Sequence, residues 1–478
     1  MTRKGTSVKT AVADAALCAF ACAGMLFAAE DAQHERAKRL VNENKLTEAV
    51  EVYRALVGRR ADSAEVRGDF GALLLHTGDT AGAAEQFTEL VRLQPGSGVA
   101  HHRLGIALYR LGKSSQGIAE LVEALRLQPE LIEARKDLGG VFLSENRLAE
   151  AASLYGEAVR LRPEDADAHN DYGVVLSRLG DTEGAQTSFA EAARRNPKHT
   201  DAHYNLGQAL LQTWKIEAAI ESFRQALEIN PKYVDALIGI GRALSRSGRR
   251  VEARERFEKA LELAPRLADA HYELGMELLF AGKQKEALAR LGEALRHNGR
   301  HADAHRQLGL AMLADGKAAL ALPQFRAVLR ERPNDAQARY ELGRALAALA
   351  RYEEAIASYR EALRLRGDWP EAANQLAWLL ATCPDDRLRD GAEAARVARR
   401  ALEVARVREP LLTDTLAAAE AEAGDFAKAL SLQQQAIDLA KALGNTKLEA
   451  EFEKHAERYK KQQPYRDGPR SGAATPTQ

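Results

Sequence analysis

Five histidines recur in register along the chain: His101, His169, His203, His271 and His305 are separated by multiples of 34 residues. Imidazole is the commonest metal-ligating side chain, so such a row raises metal chemistry first. The spacing speaks against it, because groups carried one repeat apart lie along a line rather than around one ion. Packing and surface polarity are their expected roles, and no metal site is expected. A second row is acidic: Glu65, Glu133, Asp167, Asp201, Asp235, Asp269, Asp303 and Glu371. Carboxylates in the first turn of a helix complement its positive end and cap free amides, so helix initiation is their expected role. The functional alternative is an acidic strip along an inner groove, which would favour basic or neutral peptides. The three cysteines, Cys18, Cys22 and Cys383, are too few for a disulfide framework or a Cys-rich zinc site. Cys383 lies outside any His-bearing motif and reads as incidental. No GxGxxG follows a strand, no Walker sequence occurs, and no nucleophile stands with a base and an orienting group. Neither a cofactor nor a catalytic residue is expected, and the chain does not read as an enzyme.

The elements that carry these residues follow from the period itself. Ten blocks of 34 residues run from residue 30 to residue 369 without insertion or deletion. Position 8 of the blocks is Ala37 and then glycine throughout, from Gly71 to Gly343, and position 20 is alanine in nine of ten, with Gly117 the exception. Position 24 is large and apolar, as in Tyr53, Phe87, Leu121, Phe223, Leu291 and Tyr359. The small residues remove bulk where two antiparallel helices cross, and the residue at 24 fills the space between neighbouring units. Apolar groups at positions 7, 11, 24 and 27, such as Leu206, Leu210, Phe223 and Ala226, follow helical spacing. Glycine near position 15 (Gly112, Gly180, Gly248, Gly282, Gly316) ends the first helix of a block, and proline at 32 (Pro95 to Pro333, in seven blocks) ends the second. The fold class is all-α.

Composition narrows the partners. Lysine plus arginine (68) cancels aspartate plus glutamate (68), so no positive excess exists to drive binding to a phosphate backbone, and nucleic acid is not an expected partner. At the N-terminus, Arg3, Lys4 and Lys9 precede a charge-free stretch from Ala15 to Ala29, followed by Glu30 and Asp31. That is the layout of a signal peptide. The stretch is short for a membrane span, so a retained anchor is the second reading of residues 1–29. An exported, periplasmic or envelope-associated protein is expected, with membrane contact only if that segment is retained.

The 34-residue pattern resembles the tetratricopeptide repeat. The resemblance covers residues 30–369 directly and implies a right-handed superhelical solenoid of about twelve helix-turn-helix units. Two divergent units extend it over residues 370–443, with NQLAWLLA (Asn374 to Ala381), a longer loop from Thr382 to Gly391, and a second unit from Pro410 with Leu416, Gly424, Ala429 and Ala436 in register. The sequence around Trp378, Cys383 and Leu416 is similar to the closing units of exported bacterial repeat proteins. Residues 444–463 read as a charged capping helix with Leu448, Phe452 and Tyr459 on one face, and residues 464–478 as a disordered tail.

In this family the first helices line a concave groove, and the resemblance implies that positions 2, 5, 6, 9, 12 and 13 point into it. The clamp of Lys and Asn with which chaperone-binding members hold a terminal carboxylate is missing, since position 2 is acidic and Lys136 has Gly140 four residues on. Groove positions in repeats at 166–267 are polar: Asp171, Arg178, Tyr204, Asn205, Gln208, Gln212, Arg242 and Arg246. Those at 268–335 are apolar: Met276, Leu279, Phe280, Leu310 and Leu313. Leu279 and Leu313, at position 12, are expected between neighbouring repeats, which leaves Met276, Phe280 and Leu310 as the apolar contacts. Trp214, in a turn, reads equally as a partner anchor or a local cap. The expected function is a non-catalytic scaffold that binds a partner peptide or protein. The alternatives are the targeting arm of an O-linked N-acetylglucosamine transferase-like system, for which no catalytic domain follows the repeats, or a membrane-anchored assembly factor.

Overall fold

In a computed structural model of the chain, residues 31–405 and 409–466 are described. The expected signal or anchor segment at 1–29 lies outside the described residues. Every regular element among the described residues is helical. A helix over 31–42 opens the series, and each later block supplies a pair such as Ala166–Leu179 and Thr182–Arg195. Within each unit a first helix, such as Ala166–Leu179, packs on its own second helix, Thr182–Arg195, and that second helix packs on the next first helix, Thr200–Gln212. The chain divides into two compact units, Met1–Ala243 and Leu244–Gln478, and each is a solenoid stack of such hairpins.

Local chemistry sets the helix ends. Position 34 of the preceding block supplies the N-cap: Ser63, Ser97, Asp165, His199, His301 and Asp335 each accept from the amide three residues on. The turn at position 15 requires a left-handed residue, and Gly78, Gly112, Gly180, Gly248, Gly282 and Gly316 supply it. Asn44, Asn146, Trp214 and Ala350 adopt the same conformation in the remaining blocks.

Between helices, the ring at position 24 lies on the glycine at position 8 of its own repeat. A Cβ on Gly173 would stand 2.6 Å from Phe189, and one on Gly207 2.7 Å from Phe223. The Phe223 ring also meets Gly239 of the next repeat, so it fills the space between units as the pattern implied.

The second unit ends differently. Pro370–Thr382 and Gly391–Ala405 are joined by a loop holding the short turn Asp386–Leu388, and Pro410–Glu422 and Phe426–Ala442 follow. The helix Thr446–Lys460 closes the stack with Phe452 and Tyr459 buried and Leu448 half-buried. Beneath it lies a polar cluster: Asp414 Oδ1 accepts from Gln433 Nε2 at 2.7 Å and sits 2.8 Å from His455 Nδ1. Composition places Pro464–Arg466 in the tail, yet these residues are packed. The Tyr465 ring lies 4.1 Å from His455 and 5.8 Å from Trp378 between centroids. Aromatic burial here outweighs the polar, proline-bearing context, so order extends past the expected boundary.

Candidate partner-binding surface

The two periodic rows have structural work. Nε2 of His101, His169, His203 and His271 contacts the carbonyl of the proline six residues earlier, at 3.0–3.1 Å, and His305 does the same to Gly299. A carbonyl only accepts, so Nε2 carries the hydrogen in each. Arg135 takes the same place and donates to Pro129. Position 4 therefore closes the link between one repeat and the next. The acids at position 2 lie in the first turn as expected, and several pair with the end of their own repeat, while Glu65 pairs with Lys38 of the preceding one. Asp303 accepts from Arg332 at 2.7 and 2.8 Å, Glu133 from Arg162 at 3.1 Å, and Asp201 from the Tyr233 hydroxyl at 3.0 Å. The Arg332 guanidinium holds the Asp303 carboxyl below the usual range. Cys383 is fully buried, and burial pushes its thiol up, away from the reactive thiolate.

One cluster among the described residues brings three metal-type ligands together: His34, Glu65 and Asp69. His34 Nε2 is 3.0 Å from Asp69, and the Lys38 ammonium is 2.8 Å from Glu65 and 3.9 Å from Asp69. Lysine supplies the positive charge there, and its hydrogen bond holds Glu65 below the usual carboxylate range. Only Glu65 belongs to a periodic row; His34 and Asp69 stand outside both rows, so spacing alone does not bring the three together.

In the first unit, polar side chains at the positions expected to line a groove are largely tied to one another. A side chain at position 5 is linked to position 6 of the next repeat: His34 to Asp69 at 3.0 Å, His102 to Asp137 at 2.6 Å, and Asn170, which accepts from Asn205, at 2.9 Å. Tyr109 and Ser144 make a similar link at 2.7 Å. Asp171 is half-buried and lines a cavity of about 360 Å³ with Tyr109, Arg110, Lys136 and Asp137. Burial pushes its carboxyl up, against the pull of Lys136. The Tyr204 hydroxyl accepts from Gln208 at 2.7 Å, and its ring lies against Phe223 and Tyr233. Arg178 and Gln212 are exposed and Arg242 is half-buried; Arg178 donates weakly to the Leu143 carbonyl at 3.4 Å. Trp214 is 68% exposed with φ of +60°, a strained place for an indole.

In the second unit, Met276, Leu279, Leu310 and Leu313 are half-buried, Arg246 is exposed, and Phe280 is 61% exposed. Leu279 packs against the cluster around Leu291, and Leu310 and Leu313 against the large core around Trp378. The Arg250 guanidinium lies 3.7 Å over the Phe280 ring and also reaches the buried Glu277 at 3.3 Å. Arg250 belongs to the preceding second helix, and nothing in the sequence ties it to Phe280.

Similarity to known proteins agrees with this architecture. Two family models described as tetratricopeptide repeat match, one at 34–98, 102–166, 146–185, 173–234, 272–336 and 306–368, the other at 214–275. No curated protein sequence matches the chain. Among solved structures, a crystal structure described as that of YrrB, a TPR protein with an unusual peptide-binding site, is 25% identical, covering 38% of this chain and 95% of that one, with a TM-score of 0.34. A tetratricopeptide repeat protein from Parabacteroides merdae is 20% identical over 52% of this chain and 98% of its own, at 0.47. Yeast Tom70 is 16% identical over 91% and 96%, at 0.35. Between residues 34 and 368 the family models leave only 99–101 unmatched, and on that coverage the chain belongs to the tetratricopeptide repeat family.

Proposed function

We propose that the chain is a non-catalytic scaffold that holds a partner peptide or protein against the first helices of its repeats. Members of this repeat family are in general interaction scaffolds, and the stack presents its contacts on a preorganised surface, so little ordering opposes binding. The observation that carries the reading is Phe280. A large aromatic side chain stands 61% exposed at a groove position, stacked under a guanidinium, with half-buried Met276 on the same helix. Aromatic side chains, methionine and arginine are enriched at binding surfaces. Export by way of residues 1–29 is part of the same proposal, and a mature N-terminus lying after that segment is the expected result of N-terminal sequencing.

The test is capture from the native cell envelope by the wild-type chain and by the Met276→Ser, Phe280→Ser, Leu310→Ser variant. The expected result is a specific partner lost in the variant while its circular dichroism and melting remain those of a folded chain. The same partner retained by a folded variant would refute this surface.

A further inference from the structure

A recurrent ion pair marks the second helices. Glutamate at position 26 pairs with arginine three residues on in five repeats: Glu89–Arg92, Glu123–Arg126, Glu191–Arg194, Glu293–Arg296 and Glu361–Arg364, at 2.7–2.8 Å. In the repeat beginning at Ala302 the glutamate is replaced by Ala327, while Arg330 keeps its place. Arg330 is exposed, and among the described residues no carboxylate stands within ion-pair distance of it.

The same second helix, Ala318–Glu331, carries a proline in its interior. Pro323 has no N–H to give the carbonyl of Ala319, and both residues line a cavity of about 820 Å³, within the usual range for ligand sites. Its floor includes the buried Leu322 and Leu342, and its walls carry Arg326, Arg330, Arg339 and Arg351. No carboxylate lines it. Glu354, beside it, answers two of the four arginines, at 2.6 Å from Arg351 and 3.8 Å from Arg326. Arg339 donates to the Pro333 carbonyl at 3.5 Å, and its Nε is buried without a hydrogen-bond partner. None of the lining residues occupies positions 2, 5, 6, 9, 12 or 13, so the cavity is separate from the surface proposed above.

A guanidinium excess over an apolar floor selects for an occupant with both carboxylates and apolar groups, since arginine binds carboxylate in a bidentate fork. We propose that this cavity binds an acidic peptide segment of a partner protein, with an apolar side chain over Leu322 and Leu342 and flanking carboxylates held by Arg326 and Arg330.

The experiment uses the full chain and a fluorescein-labelled peptide alternating Glu and Leu, with a Lys and Leu peptide as control, followed by fluorescence anisotropy. Arg330→Glu reverses the charge. Ala327→Glu rebuilds the ion pair that five other repeats carry, so it removes the free guanidinium within an established local pattern. Binding of the acidic peptide is expected, weakened about tenfold or more by each variant and reduced by added salt. Arg330→Gln gives the same reading if Ala327→Glu fails to fold. Equal binding by folded variants, or equal binding of the basic peptide, would overturn the proposal. So would binding of decanoate without binding of the acidic peptide, which would make the site one for a small anionic amphiphile.

Discussion

Asp171 shows how a half-buried carboxylate can be costly to its own fold. It is half-buried and its carboxyl is pushed up by desolvation, with Lys136 opposing. For an acid shifted this way, protonation is favoured in the folded state. Below the ordinary carboxylate range both states are protonated, and the group contributes nothing. As pH rises through that range the unfolded chain ionises first and the fold loses stability, a loss complete once the folded group has ionised. Asp171→Asn keeps an acceptor for Asn170 but carries no charge. The variant is therefore expected to match the wild type near about pH 3 and to be the more stable protein at about pH 7, read from urea unfolding at several pH values. A difference independent of pH would mean that the substitution acts through packing.

Packing at the level of the helix pair was the most legible part of the chain, because it depends on residue size and size repeats. Glycine at 8 and a ring at 24 are two halves of one contact, and the contact is graded. A Cβ at Gly207 would stand 2.7 Å from the Phe223 ring, whereas at Gly275 the nearest atom, on Leu291, is 3.1 Å away. A buried aromatic ring has no room to retreat, while a leucine can shift by a few tenths of an ångström. Gly→Ala also gains roughly 1 kcal/mol of helix propensity, which offsets part of the overlap. Gly207→Ala is thus expected to destabilise by about 1–3 kcal/mol, and Gly275→Ala by clearly less or not at all, in matched denaturant titrations. Equal costs at the two sites would show that helix spacing rather than the ring sets the requirement for glycine. The cross-repeat polar links were not legible at this scale. His34 with Asp69, His102 with Asp137 and Asn205 with Asn170 use one geometric slot but different residue types, so no periodic signal survives in the sequence.

Stacks of this kind hold together through nearest neighbours, so the effect of a defect should stay local. The period carried the architecture through residue 369, and the capping helix was visible as a charged segment with one apolar face. The contents of that end were not. Asp414, Gln433 and His455 come from three helices of the divergent region and are buried together, where no repeat predicts their meeting. Tyr465 over His455 then seals the cluster from a segment whose composition suggests disorder. Phe452 is fully buried against Ala436, Ile437 and Ala440, so Phe452→Ala removes the main apolar anchor of the cap at a cost of about 3–5 kcal/mol. With the cap loosened, Asp414 and Gln433 lose His455 and the Phe452 carbonyl as partners, and the helices Pro410–Glu422 and Phe426–Ala442 gain access to solvent. Hydrogen exchange read by mass spectrometry should therefore show protection falling in those two helices and unchanged in Ala64–Thr77 and Ala166–Leu179 of the other unit. Loss of protection spread evenly over all four helices would mean that the chain unfolds as one cooperative body, and the nearest-neighbour account of its stability would have to be abandoned.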